Sequence, residues 1–164
     1  MRFLTIRLWT LSMCLCAVAV AQGTIQPVQW TGSIASKKPV DSGRKTTVEV
    51  SADIQDGWHV YGLNQGSGGP TSLRVTLDAN DTLQAIGPVS GTAPVKKHDT
   101  SFDIDTEVYT HSFALQIPVQ VNKHLPAGKR DVSVSVRFQA CSDRVCLPPR
   151  TVHVSVPIKI KSGS

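Results

Sequence analysis

The sequence predicts an all-β chain, an immunoglobulin-like antiparallel β-sandwich, on three observations. Apolar and polar residues alternate almost strictly through three late segments, 109–121, 131–140 and 151–160. No apolar period of 3.6 residues is sustained after the N-terminal run, so no helix is expected. Turn signals such as Asp56-Gly57 and Gly87-Pro88 punctuate the alternating runs. Strict alternation gives each strand one apolar and one polar face, as in antiparallel sheets with one solvated side. Six to eight such strands make a sandwich.

The chain opens with Arg2 and Arg7 ahead of an apolar run over 8–20 that closes in Ala19-Val20-Ala21. A small-x-small site after a short apolar run reads as a secretory signal peptide, residues 1–21. The run falls short of the roughly 20 apolar residues that a membrane-spanning helix needs. Cleavage before Gln22 removes Cys14 and Cys16 along with both arginines and lowers the net charge from +5 to +3. Met13 precedes Cys14 where a lipoprotein signal needs a small residue, so a free, exported product is expected. Residues 22–164 are the size of one domain with one core.

Within that domain, 46–52 alternates, Asp56-Gly57 turns, and Trp58-His59-Val60-Tyr61 resumes, giving strand, turn, strand. Residues 62–70 carry four glycines and a proline and read as an exposed loop. Leu73-Arg74-Val75-Thr76-Leu77 alternates, 78–81 turns, and 83–86 returns, which predicts a hairpin. Residues 90–105 are polar, with Lys96-Lys97-His98-Asp99 and a solitary Phe102, and predict a long mobile loop of the kind that often carries function.

Composition narrows the function. Aromatics make up 5% of the chain and no long Lys/Arg run occurs, which argues against a nucleic-acid partner. Gly-x-Ser-x-Gly, His-Glu-x-x-His and phosphate-loop motifs are absent. No cofactor is expected.

What remains is Cys141-Ser142-Asp143-Arg144-Val145-Cys146-Leu147-Pro148-Pro149, between the last two strong strands. Two cysteines in an exported domain are expected to pair. Three readings stand. A structural bridge closing six residues stabilises by about 2 kcal/mol on the chain-entropy model, in a domain large enough to fold without it. A zinc site needs two more ligands, for which His59 and His153 are on offer, although a second paired-cysteine motif is missing. A redox site needs a bridge that another thiolate can reach, as on an exposed surface turn. Arg144 lowers and Asp143 raises a neighbouring thiol pKa, so charge alone does not select the nucleophile. His111 and His124 read as surface residues.

Phe138-Gln139-Ala140-Cys141 followed by Cys146-Leu147-Pro148-Pro149 resembles the N-terminal periplasmic domain of the thiol:disulfide interchange protein DsbD. Asp56-Gly57-Trp58-His59-Val60-Tyr61 is similar to that family's early aromatic strand, and the stretch from His98-Asp99 through Phe102 to Glu107-Val108-Tyr109 to its cap region. The resemblance implies an immunoglobulin-like domain that relays electrons from a membrane-embedded or thioredoxin-like donor to oxidised periplasmic proteins. It makes Cys141 and Cys146 the redox pair, with Cys146 facing partners. It makes Phe102 the cap residue, puts Asp99 in the same cap, and has His59 and Tyr61 line the site. The segment between the cysteines is one residue shorter than in the best-known member. With no membrane part or thioredoxin-like part fused to it, the domain is expected to act as a monomer with a separate donor. The rival expectation is a non-catalytic interaction module with a structural disulfide.

Overall fold

The structure, a computed structural model, describes residues 25–161, and the signal-peptide reading of 1–21 falls outside them. Thirteen strands and no helix occur among the described residues. No helix there is long and apolar enough to cross a membrane, which says nothing of β-barrels.

Two sheets form the body. In the first, β1 (Val28–Ile34) pairs with β3 (Lys45–Ile54), β3 with β10 (Phe113–Val121), and β10 with the short strands β6 (Leu83–Ala85) and β7 (Ser90–Gly91). In the second, β11 (Gly128–Phe138) lies between β5 (Arg74–Leu77) and β13 (Arg150–Lys161), with β2 (Val40–Asp41) on the outer edge. All pairs are antiparallel except β2 with β13. The period of two fixes which residues turn inward. Val48 and Val50, Val119 and Val121, Val134 and Val136, and Val156 belong to one buried cluster drawn from both sheets. At roughly 1.5–3 kcal/mol for each such side chain removed from water, this cluster dominates the stability. Together the sheets make the immunoglobulin-like β-sandwich that the alternation predicts.

A third sheet closes one end, in the order β12 (Ala140–Ser142), β4 (Trp58–Tyr61), β9 (Ile104–Tyr109), β8 (Val95–Asp99). Its two faces do different work. Ala140, Val60 and Tyr109 turn into the main core, while Cys141, Tyr61 and Val108 form a separate buried cluster on the other side.

Several expectations need correction. Residues 90–105 are not one irregular loop: β8 and β9 form a hairpin in register from Val95↔Val108 to Asp99↔Ile104. Its outer face carries Lys96 opposite Glu107 and His98 opposite Asp105, and its inner face carries Lys97, Asp99 and Thr106, so apolar alternation is missing from the sequence. The segment 109–121 is two strands. The chain leaves the end sheet after Tyr109, turns through Thr110-His111-Ser112, and enters the first sheet at Phe113, whose ring stacks on Tyr109 at 3.8 Å. Residues 73–86 are not a hairpin, because β5 pairs with β11 and β6 with β10. Asn80 Oδ1 accepts from the Thr82 and Leu83 N–H groups, so a side chain rather than a strand ladder turns this crossing between sheets. In the 62–70 loop the middle is exposed, but Gly62 and Pro70 at its ends are buried.

Candidate functional site

Cys141 and Cys146 are joined in a disulfide, and the local ladder explains why. Ser142 N–H donates to Val145 O at 2.8 Å and Leu147 N–H donates to Ala140 O at 2.9 Å. The cysteines therefore face each other as the non-hydrogen-bonded pair of a tiny hairpin, the pair in which antiparallel strands come closest. Their Cα atoms are 4.0 Å apart. At the tip, Ser142 Oγ accepts from the N–H groups of Arg144 and Val145, both at 3.2 Å. That hydroxyl does the work a glycine does in tighter turns, since neither Asp143 nor Arg144 has a positive φ.

The two sulfurs differ in access. Cys141 is 1% exposed and packs in the cluster with Tyr61 and Val108, with Phe102 laid against it. Cys146 is only partly buried, and its neighbour Val145 is 47% exposed. The bridge is thus not the openly exposed turn that the spacing predicts. Cys141 lies in a strand of the end sheet, and the β8–β9 hairpin roofs it.

The roof is tied down through Asp99, the last residue of β8. One carboxylate oxygen accepts from the Tyr61 hydroxyl at 2.7 Å, and the other accepts from Ser101 N–H at 2.9 Å. Phe102 follows in the loop between the strands, its ring edge-on to Tyr61 with centroids 6.2 Å apart. Asp103, with φ 55°, ends that loop in the left-handed conformation that Asp tolerates better than most residues. His59 also packs edge-on to Tyr61, at 5.2 Å between centroids, and is the register partner of Cys141.

A cavity of about 310 Å³ opens beside the disulfide, lined among others by His59, Tyr61, Lys97, Asp99, Cys141 and Asp143. Burial would raise the Asp99 pKa, but hydrogen bonds from Tyr61 and the Ser101 and Phe102 backbones, with nearby His59, outweigh it and the net shift is downward. Tyr61 moves upward through burial and then through its bond to that carboxylate. His59 moves downward, first through burial and then through Lys97, against the pull of Asp99 and Asp143.

All six site residues read from the sequence, Cys141, Cys146, Phe102, Asp99, His59 and Tyr61, meet at this end of the molecule. Thr106 and Val108 also line the cavity and carry no chemical signature in the sequence; the alternation of β9 is the signal that places them on one face. Lys97 reaches across to Asp143 at 3.9 Å, linking roof to cysteine turn. His153 lies elsewhere, with Nδ1 3.2 Å from Asp78, so it is not a partner for the cysteines. Among the described residues no group of three or more His, Cys, Asp or Glu is placed to hold a metal ion.

A family model for the N-terminal part of the thiol:disulfide interchange protein DsbD matches residues 31–157. The chain belongs to that family. Thiol-disulfide exchange is the family's chemistry, and the Cys141–Cys146 disulfide is the group here that can perform it. Among solved structures, the Neisseria meningitidis DsbD N-terminal domain in its reduced form is similar, at 19% identity over 73% of this chain and 86% of that one, with a TM-score of 0.49. No curated protein matches the chain.

Proposed function

We propose that residues 22–164, released by cleavage of a signal peptide, form a periplasmic electron-relay domain working through Cys141 and Cys146. The carrying observation is the asymmetry of the disulfide, with one sulfur sealed and the other partly open. A thiolate from a thioredoxin-like or membrane-embedded donor attacks Cys146 Sγ. The electron pair of the broken bond goes to Cys141, and a second donor thiolate then releases reduced Cys146. The reduced domain, acting as a monomer, passes both electrons to an oxidised periplasmic protein by the reverse chemistry.

In this reading Phe102 and Asp99 belong to the cap, and His59 and Tyr61 line the site. The cap keeps small oxidants and thiols from Cys141 while a partner large enough to displace it gains access.

Single-cysteine variants test the assignment. Cys141→Ser accumulates a mixed disulfide through Cys146 with a thioredoxin-like protein lacking its resolving cysteine, and Cys146→Ser does not. Full mixed-disulfide formation by Cys146→Ser removes the assignment of Cys146 as the partner-facing sulfur.

A further inference from the structure

Exchange at this disulfide carries a proton requirement. Reduced Cys141 is surrounded by Tyr61, Val108 and Phe102, and burial in apolar surroundings makes a thiol slow to give up its proton. When Cys141 attacks a mixed disulfide on Cys146, a group in the cavity has to take that proton.

Besides Cys141, the titratable residues lining the cavity are His59 and Tyr61 on β4, Lys97, His98 and Asp99 on β8, and Asp143 in the cysteine turn; β9 contributes the uncharged Thr106 and Val108. Tyr61 already donates its hydroxyl to Asp99. Asp99 is committed to three donors that hold it ionised, which makes it a poor base. Lys97 and Asp143 face each other at the solvent side, their side chains 56% and 91% exposed. His98 belongs to the outer face of the hairpin, its nitrogens 3.4 Å from Asp105 and 3.5 Å from Asp103.

His59 remains. Among the described residues neither of its ring nitrogens has a hydrogen-bond partner. It stands directly opposite Cys141 in the β4–β12 register, on the same face, where facing Cβ atoms are about 4.5–5.5 Å apart. We propose that His59 is the proton acceptor for Cys141 in the step that resolves the mixed disulfide. The proposal rests on the exchange reading above and adds to it the group that moves the proton.

Cys146 thiolate attacks one sulfur of a substrate disulfide, and the other substrate sulfur leaves as thiolate. The Cys141 thiol passes its proton to neutral His59, and the new thiolate attacks Cys146 Sγ. The Cys141–Cys146 bond forms, the bond from Cys146 to substrate breaks, and the second substrate sulfur leaves as thiolate. Two electrons have passed to the substrate, and the proton stays on the imidazolium until solvent removes it. Burial and Lys97 hold His59 below its ordinary value of 6.5, so the ring is neutral and able to accept at neutral pH.

The test uses the reduced mature protein and 5,5′-dithiobis(2-nitrobenzoate), which releases one chromophore on attack by Cys146 and a second on resolution by Cys141. The second phase of the native protein should slow as the pH falls through an inflection below 6.5. His59→Gln should slow that phase about tenfold or more relative to the first phase and erase the inflection, a modest case of general base catalysis. Added imidazole should restore the second phase in His59→Ala. A wild-type second phase and inflection in His59→Gln, or no imidazole rescue in His59→Ala, overturns the proposal. A native protein in which neither thiol reacts overturns the exchange reading instead.

Discussion

At the scale of single residues, Asp99 is the point where the roof meets the floor. Tyr61→Phe removes one of the three donors that hold its carboxylate ionised. Because the folded chain holds Asp99 below 3.8, its contribution to stability is complete above that pH and disappears as the pH falls through the lowered folded value. The variant should be destabilised by about 1 kcal/mol at neutral pH, the usual worth of such a hydrogen bond, and should lose less stability on acidification than the native protein. Urea titrations at pH 7 and pH 3 give both numbers; an unchanged acid profile would mean that the Tyr61–Asp99 bond is not holding the carboxylate down. Phe102 is a test of cover rather than of charge. Phe102→Ala should leave the fold intact and speed reduction of the disulfide by dithiothreitol several-fold, while an unchanged rate would show that the ring does not limit access. The cysteine pair was the most legible part of the site in the sequence, because two thiols five residues apart in a domain expected to be exported are expected to pair. Their inequality was legible only through the family resemblance, which makes Cys146 the partner-facing sulfur; the residue pattern alone does not show it, since Cys141 is sealed by residues 33 to 80 positions upstream in the chain.

At the scale of elements, the three late strands were readable because each turns one face into a common core, and burial there enforces alternation. The β8–β9 hairpin was not, because it joins the end sheet by its edge and faces water on one side and the polar cavity on the other. The division of 109–121 was hidden for a different reason: apolar residues continue on both sides of the bend, so periodicity alone shows no break. Gly32 of β1 lies against β13, where an added Cβ would stand 2.6 Å from Val156 Cγ2 and 2.9 Å from Ser155 O. Gly32→Ala should therefore cost about 1–3 kcal/mol by overpacking the junction of the two sheets, seen as a lower urea midpoint. The Lys97–Asp143 pair between roof and cysteine turn is long and exposed, so Lys97→Ala should change the midpoint by less than about 1 kcal/mol.

At the scale of the whole molecule, the sandwich holds the main core, and the end sheet carries the cysteine pair and the small cluster around it. Phe138 ends β11 in the main core, and two residues later Ala140 starts the strand that carries Cys141, so the cysteine turn follows directly from a core strand. The roof joins the same sheet through β9 and carries no large buried cluster of its own, so its amides should exchange with solvent well before those of β10 and β11. In the proposed relay, this division is what allows a partner to lift the cover without disturbing the bridge's support. The central claim is that the bridge exists to be broken and remade. Its most direct test is the equilibrium reduction potential of the Cys141–Cys146 pair in the mature protein, titrated against a thiol redox buffer with thiol trapping. The account predicts a value between those of thioredoxin, about −270 mV, and protein disulfide isomerase, about −180 mV. A value well below about −300 mV would contradict it and identify the pair as a structural bridge in an interaction module.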